Sequence, residues 1–228
     1  MQPVTIAPIA HIRSDFPQKF GIPRQSGLVE ELTARVVFEP AYRRREALRG
    51  IEGFSHLWLI WQFSDTLTDN FRPTVRPPRL GGNRRVGVFA SRAPYRPNGL
   101  ALSCVRLLRV KETEEGPTLV VGGADLKDGT PIFDVKPYLP LSDCHPEATG
   151  GYTEETRAHR LQVVIPEALL AQVPAEKREA LRGVLAFDPR PGYEENPREI
   201  YGLAFAGLDV GFRVDGDILS VVRVDHMD

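Results

Sequence analysis

The chain has 228 residues, 42% of them hydrophobic and 26% charged, with 29 basic against 30 acidic side chains. These values exclude a disordered, collagen-like or coiled-coil chain, and no apolar run approaches the roughly 18 residues of a membrane span. The first residues lack the basic stretch and long apolar run of a secretory signal, and two cysteines are too few for a disulfide scaffold, so a soluble cytoplasmic protein is expected.

Val4–Ile12 and Thr33–Phe38 are rich in β-branched residues and read as strands, joined by a charged loop, Arg13–Gly27. Arg43–Arg49 reads as a short helix that Gly50 can cap. Ser55–Phe63 is almost continuously apolar, the pattern of a strand buried on both faces. A long loop, Thr66–Arg85, precedes Val86–Ala90, a turn at Arg96-Pro97-Asn98-Gly99 and a long strand, Leu100–Lys111. Glu112–Pro117 reads as a hairpin turn, Thr118–Ala124 as its return strand, and Asp128-Gly129 as a tight turn before Ile132–Val135.

Short strands joined by Gly/Pro-rich turns argue for a mainly β fold, a small β-barrel rather than βαβ units. Beyond Asp143 the pattern changes. Pro166–Val173 and Ala175–Leu185 have helical spacing, with Leu181, Val184 and Leu185 on one face, and Tyr201–Gly211 and Ile218–Val224 read as strands. The expected division is a barrel domain over 1–145 and a small α+β domain over 146–228.

The near-zero net charge conceals an asymmetry. From Asn70 to Lys111 there are ten basic side chains (Arg72, Arg76, Arg79, Arg84, Arg85, Arg92, Arg96, Arg106, Arg109 and Lys111) and no acidic one, whereas 112–228 is net −11. A one-signed tract dominated by arginine suits phosphate contacts and stacking on bases, so a polyanion such as RNA is the expected partner. The plainer alternative is a solvated loop paired with the acidic tail.

The chemistry of other classes is missing. The five histidines and two cysteines form no metal-ligand cluster, Asp125, Asp128 and Asp134 lack EF-hand spacing, and there is no Walker loop, G-x-S-x-G elbow or strand-borne G-x-G-x-x-G turn. A metal-free barrel with a basic rim is what the residues alone support.

Several ordered motifs go further: Phe20-Gly21-Ile22-Pro23-Arg24-Gln25, Leu48-Arg49-Gly50-Ile51-Glu52-Gly53-Phe54-Ser55-His56-Leu57-Trp58, Arg76-Pro77-Pro78-Arg79-Leu80-Gly81-Gly82-Asn83, Arg96-Pro97-Asn98, Asp125-Leu126-Lys127-Asp128-Gly129-Thr130-Pro131 and Asp134-Val135-Lys136-Pro137-Tyr138-Leu139-Pro140. They resemble the TsaA-like (TrmO) family over most of residues 4–143, and Asp188-Pro189-Arg190-Pro191 with Tyr193 is similar to the tail of its long bacterial form. The resemblance implies a homodimeric enzyme that uses S-adenosyl-L-methionine to methylate N6 of threonylcarbamoyladenosine at position 37, in the anticodon loop of tRNA. Unpaired loop bases fit the charge reading.

By that resemblance the cofactor contacts are Arg24, Gln25, Ser26 and Gly27; Phe63 and Ser64; Arg92 and Leu102; and Leu126, Lys127, Asp128 and Gly129. Arg76, Arg79, Arg84, Arg85, Arg96, Arg190 and Tyr193 are the expected tRNA contacts, the tail reaching the partner's pocket. Asp128 and Tyr138 are the candidates for removing the N6 proton. The chain departs from the family at Ser64, often His, and at Gly99, often Pro. Two rival readings are a non-catalytic RNA-binding or regulatory barrel that senses the cofactor, and a small-molecule methyltransferase in which the arginine tract is incidental.

Overall fold

Strand β1 (Ala10–Arg13) pairs antiparallel with β2 (Thr33–Phe38) in the computed structural model, which describes residues 2, 4–66, 72–77, 84–156, 160–190 and 196–227. Strand β3 (His56–Gln62), the short ribbon strands β4 (Thr74–Val75) and β5 (Val86–Gly87), β6 (Leu100–Thr113), β7 (Gly116–Gly122) and β8 (Pro131–Pro137) follow. Six of these form one rolled antiparallel sheet in the order β1-β2-β7-β6-β3-β8. Its ends meet along a short seam, where Ala10 faces Ile132 and His11 faces Pro131. The mainly β reading therefore holds, with a sheet closed by two register pairs rather than by a full ladder.

Alternation decides what the sheet encloses. On β3 the side chains of Leu57, Leu59 and Trp61 point inward and are buried, while His56, Trp58, Ile60 and Gln62 face outward and are half-buried. The apolar run thus has one fully buried face, not two. It reads as continuous because Trp58 lies against Tyr138, with ring centroids 5.8 Å apart, and donates its indole N–H to Asp143 at 2.8 Å. The expected strand Val4–Ile12 is only Ala10–Arg13: β2 ends at Phe38, opposite Ala10, and Val4 is 86% exposed. The expected helix at Arg43–Arg49 is a single 3-10 turn, Arg45–Leu48, preceded by another at Pro40–Tyr42, in a segment too short to repay helix nucleation.

The second half contains α1 (Pro140–Asp143), β9 (Gln162–Val164), α2 (Glu167–Leu170), α3 (Arg178–Ala186), β10 (Tyr201–Phe205), β11 (Leu208–Asp215) and β12 (Ile218–His226). The sheet order is β10-β11-β12-β9, with β9 parallel to β12. The single strand expected at Tyr201–Gly211 is a hairpin turning at Ala206-Gly207, because both arms are apolar. Leu181, Val184 and Leu185 of α3 are buried together, as their spacing requires, against Leu203, Phe205 and Phe212.

That second core is not built from the C-terminal residues alone. Phe16, Val29 and Leu32, from the segment between β1 and β2, are buried in it, with Phe20 and Ile22 packed on its edge. The Phe16 and Phe205 rings lie 5.3 Å apart, and Lys177 donates to Asp15 at 2.6 Å. Fully burying a phenylalanine is worth about 1.5–3 kcal/mol, so the loop Arg13–Gly27 is fastened at its base. This fastening positions the residues that follow it.

Candidate active site

A cleft of about 570 Å³ opens where β6 outruns its neighbour. β6 pairs with β3 from Leu100 onward, but its pairing with β7 begins only at Arg106. Residues 100–105 therefore offer a free edge to the loop Arg24–Gly27. Cys104 donates its backbone N–H to Ser26 Oγ at 3.1 Å, and Gly27 donates to the Gly123 carbonyl at 2.8 Å. Gly123 has φ +71°, and a Cβ there would lie 3.1 Å from the Gly27 backbone, so this approach requires glycine.

The walls are Trp61 and Phe63, with ring centroids 4.6 Å apart, together with Ile60, Ala101 and Leu102. Charge enters from several loops. Lys127 donates to Asp65 at 2.6 Å, and Lys19 stands 3.8 Å from the same carboxylate, which holds Asp65 below the usual carboxylate range, chiefly through the Lys127 bond. Arg92 donates to Gln25 Oε1 at 2.6 Å. Behind them Trp61 Nε1–H donates to Ser103 Oγ at 2.9 Å, and Ser103 Oγ–H donates to Asp125 Oδ1 at 2.6 Å. Burial pushes the Asp125 carboxyl up to about 6, against the lowering effect of the Ser103 hydroxyl, nearby backbone amides and the Arg92 charge.

Of the twelve residues expected to hold cofactor, the structure brings Arg24, Gln25, Phe63, Ser64, Arg92, Leu102 and Lys127 to this cleft. Ser26 and Gly27 sit just behind, fixing the loop. Leu126 is fully buried in the core of the rolled sheet. Asp128 turns away: its carboxylate accepts the Ser14 amide at 2.9 Å and lies 3.6 Å from Arg13, while Gly129 donates to Ile12 O. Tyr138 stands at the far end of β3, against Trp58 and His56, and its hydroxyl is pushed up, first by desolvation and then by Cys144, the wrong direction for a base. Sequence reasoning missed Asp125, Ser103 and Trp61 as a connected group.

The cleft is continuous with a broader groove that shares Arg24, Gln25, Ser91, Arg92 and Pro94 with it and adds Arg72, Arg76 and Arg85. Arg72 lies over the Tyr95 ring at 4.7 Å, and the exposed Phe89 lies 5.9 Å from the Arg96 guanidinium. Arg84 is exposed beside them. Two expected tRNA contacts are engaged by the chain itself. Arg96 donates to the carbonyls of Val88 and Ser91, at 3.1 and 2.6 Å, and Arg190 forks onto Asp188 with two 2.9 Å bonds. Arg79 and Tyr193 lie outside the described residues. Among the described residues no group of His, Cys, Asp or Glu is arranged to hold a metal ion.

Comparison with known proteins identifies the family. Residues 11–144 match the tRNA-methyltransferase O N-terminal domain and residues 158–227 the TrmO C-terminal domain. The chain is 40% identical, over 90% of its length and 91% of the relative's, to the tRNA (adenine(37)-N6)-methyltransferase of Escherichia coli strain K12. It is 42% identical, over 96% and 97%, to a Pseudomonas aeruginosa protein with the provisional name S-adenosylmethionine-dependent methyltransferase RcsF. A crystal structure of TrmO from Pseudomonas aeruginosa superposes with a TM-score of 0.81 at 32% identity, covering 99% of this chain and 98% of that one.

Proposed function

The chain belongs to the TrmO family of S-adenosylmethionine-dependent tRNA (adenine-N6)-methyltransferases acting at position 37, and from that premise we propose that its acceptor is N6 of threonylcarbamoyladenosine in the anticodon loop. One observation carries the reading: an aromatic-walled cleft of cofactor size opens directly into an arginine-lined groove. Anticodon-loop bases are unpaired, and such a groove can grip phosphates while aromatic rings receive splayed bases.

The residues present fit the cofactor. A cleft with an aromatic wall, two carboxylates and several cations suits a ligand that combines a nucleoside, an amino-acid zwitterion and a sulfonium, and its volume lies in the range of small-ligand sites. S-adenosylmethionine supplies a methyl group already activated by positive sulfur. We assign Arg24 and Arg92 to its carboxylate, Asp65 to its hydroxyl or ammonium groups, and the Trp61–Phe63 pair to its apolar faces. Catalysis then rests mainly on holding the acceptor in line in a water-poor site. Ser64 lines this cleft, so its hydroxyl takes the place of the imidazole that the family often has there.

Arg72, Arg76, Arg84 and Arg85 are assigned to tRNA phosphates. A division near residue 145 into a catalytic and an accessory domain is also proposed, with the segment Phe16–Leu32 reaching into the second core. Leu139 and Leu141, exposed just after β8, are the side chains that support a homodimer. Among the described residues no helix is long and apolar enough to cross a membrane. A tRNA substrate supports a cytoplasmic enzyme.

The test compares two anticodon stem-loops that differ only in the threonylcarbamoyl group on the adenosine at position 37. Methyl transfer to the modified one alone is the expected result. Equal transfer to both would overturn the proposed acceptor.

A further inference from the structure

Two carboxylates line the cleft, and their surroundings differ. Asp65 is neutralised by Lys127 and Lys19. Among the described residues Asp125 makes no ion pair; it receives the hydroxyl of Ser103 and the backbone N–H of Ser26. A hydroxyl has one proton to donate. Because Ser103 Oγ already accepts the indole N–H of Trp61, the Ser103 hydrogen is committed to Asp125 Oδ1. Ser103 is 1% exposed, so this chain of bonds is shielded from water and fixes Asp125 as an acceptor at the cleft wall.

We propose that Asp125 is the general base of the reaction, taking the proton that the exocyclic N6 must shed when it is methylated. The proposal rests on the methyl-transfer reading above. The N6 lone pair forms the nitrogen–carbon bond as the carbon–sulfur bond breaks and its electron pair passes to sulfur. The proton leaves N6 for Asp125 and passes from there to water, restoring the carboxylate. No oxidant or further reactant is required.

The electrostatics suit the task. The ionisable groups around the cleft are Lys19, Arg24, Asp65, Arg92, Arg96 and Lys127, and Arg92 is the one whose charge lowers the Asp125 carboxyl. Burial prevails, and a carboxyl near 6 is charged at neutral pH yet basic enough to accept a proton. Asp128 and Tyr138, the candidates from sequence, have no comparable access, since one is held by the Ser14 amide and the other stands at the opposite end of β3.

The experiment uses the full chain with S-adenosylmethionine and tRNA. In D125N, affinity for S-adenosylmethionine and for tRNA should be little changed while single-turnover methyl transfer falls roughly 100- to 10,000-fold. The wild-type rate should decline below about pH 6, the D125N residual rate should show no such limb, and S103A, which loses the donor to the charged form, should move the limb to higher pH. A readout without turnover comes from Trp61: with Trp58→Phe leaving Trp61 as the sole tryptophan, its fluorescence should titrate near pH 6 and lose that transition when Asp125→Asn is added. An active wild type beside an equally active D125N overturns the base assignment alone. So does a D125N that loses cofactor affinity in step with activity. A wild type that transfers no methyl to any adenine overturns the methyl-transfer reading, and the base assignment with it.

Discussion

Gly21 packs its backbone directly against the side chain of Leu203, so that the loop carrying Arg24 and Gln25 leans on the first strand of the C-terminal hairpin. The position has φ +85° and no room for a Cβ. The candidate cleft and the C-terminal sheet thereby meet at this glycine as well as through Phe16, Phe20 and Ile22.

Gly21→Ala should therefore destabilise the protein by roughly 1–3 kcal/mol from backbone strain, with the overlap on Leu203 added, and should weaken S-adenosylmethionine binding. Gly216→Ala is the control, because its φ is +56° but nothing lies within 4 Å of the added atom, and it should leave cofactor binding unchanged. Thermal unfolding and titration calorimetry check both.

Lys127→Ala should leave stability almost unchanged, since the Lys127–Asp65 pair is partly exposed to solvent. Cofactor affinity should nevertheless fall, because the pair ties the turn after β3 to the loop after β7 across the cleft. The contribution of the pair follows a definite sign: Asp65 is lowered in the folded protein, so its stabilisation is present above the ordinary carboxylate range and is lost as pH falls through the folded value. Calorimetric affinity at neutral pH separates the two effects.

Asp125→Asn should stabilise the protein at pH 7.5 relative to pH 5. The folded carboxyl is raised from 3.8 to about 6, so the native state holds the proton more tightly, and stability declines as pH rises between those values. Removing the buried charge removes that decline, worth on the order of 3 kcal/mol over the whole range and about half of that between pH 5 and pH 7.5. Denaturant melts at the two pH values measure it.

Arg72→Ala and Arg85→Ala should each weaken tRNA binding and reduce the slope of log affinity against log salt by about 0.7–0.9 per lost phosphate contact. Arg96→Ala should act differently, lowering stability through the Val88 and Ser91 carbonyls it leaves unpaired, with a smaller change in slope. Equal salt slopes in all three variants and the wild type would contradict the groove assignment.

Local pattern made much of the fold legible. The β-branched run at Thr33–Phe38 is a strand to the residue, and the α3 face of Leu181, Val184 and Leu185 is buried as its spacing requires. Alternation on β3 was masked because Trp58 and Ile60 make its outward face apolar too. The basic tract pointed to a polyanion, but not to which arginines bond to the chain itself: Arg96 and Arg190 do so through carbonyl and carboxylate partners that only the turns bring within reach. Asp125, Ser103 and Trp61 are scattered along the sequence and meet through strand register and a diagonal contact across β3 and β6, for which no short motif exists. The available signal was Ser103 itself, a hydroxyl on the inward face of an alternating strand, which must find a buried partner.

The most direct test of the account is to incubate the protein with methyl-labelled S-adenosylmethionine and tRNA from cells lacking their own copy of this enzyme, and then to identify the labelled nucleoside by mass spectrometry. The account predicts one added methyl on N6 of threonylcarbamoyladenosine. Label on any other nucleoside, or tRNA that binds and remains unlabelled, would contradict it.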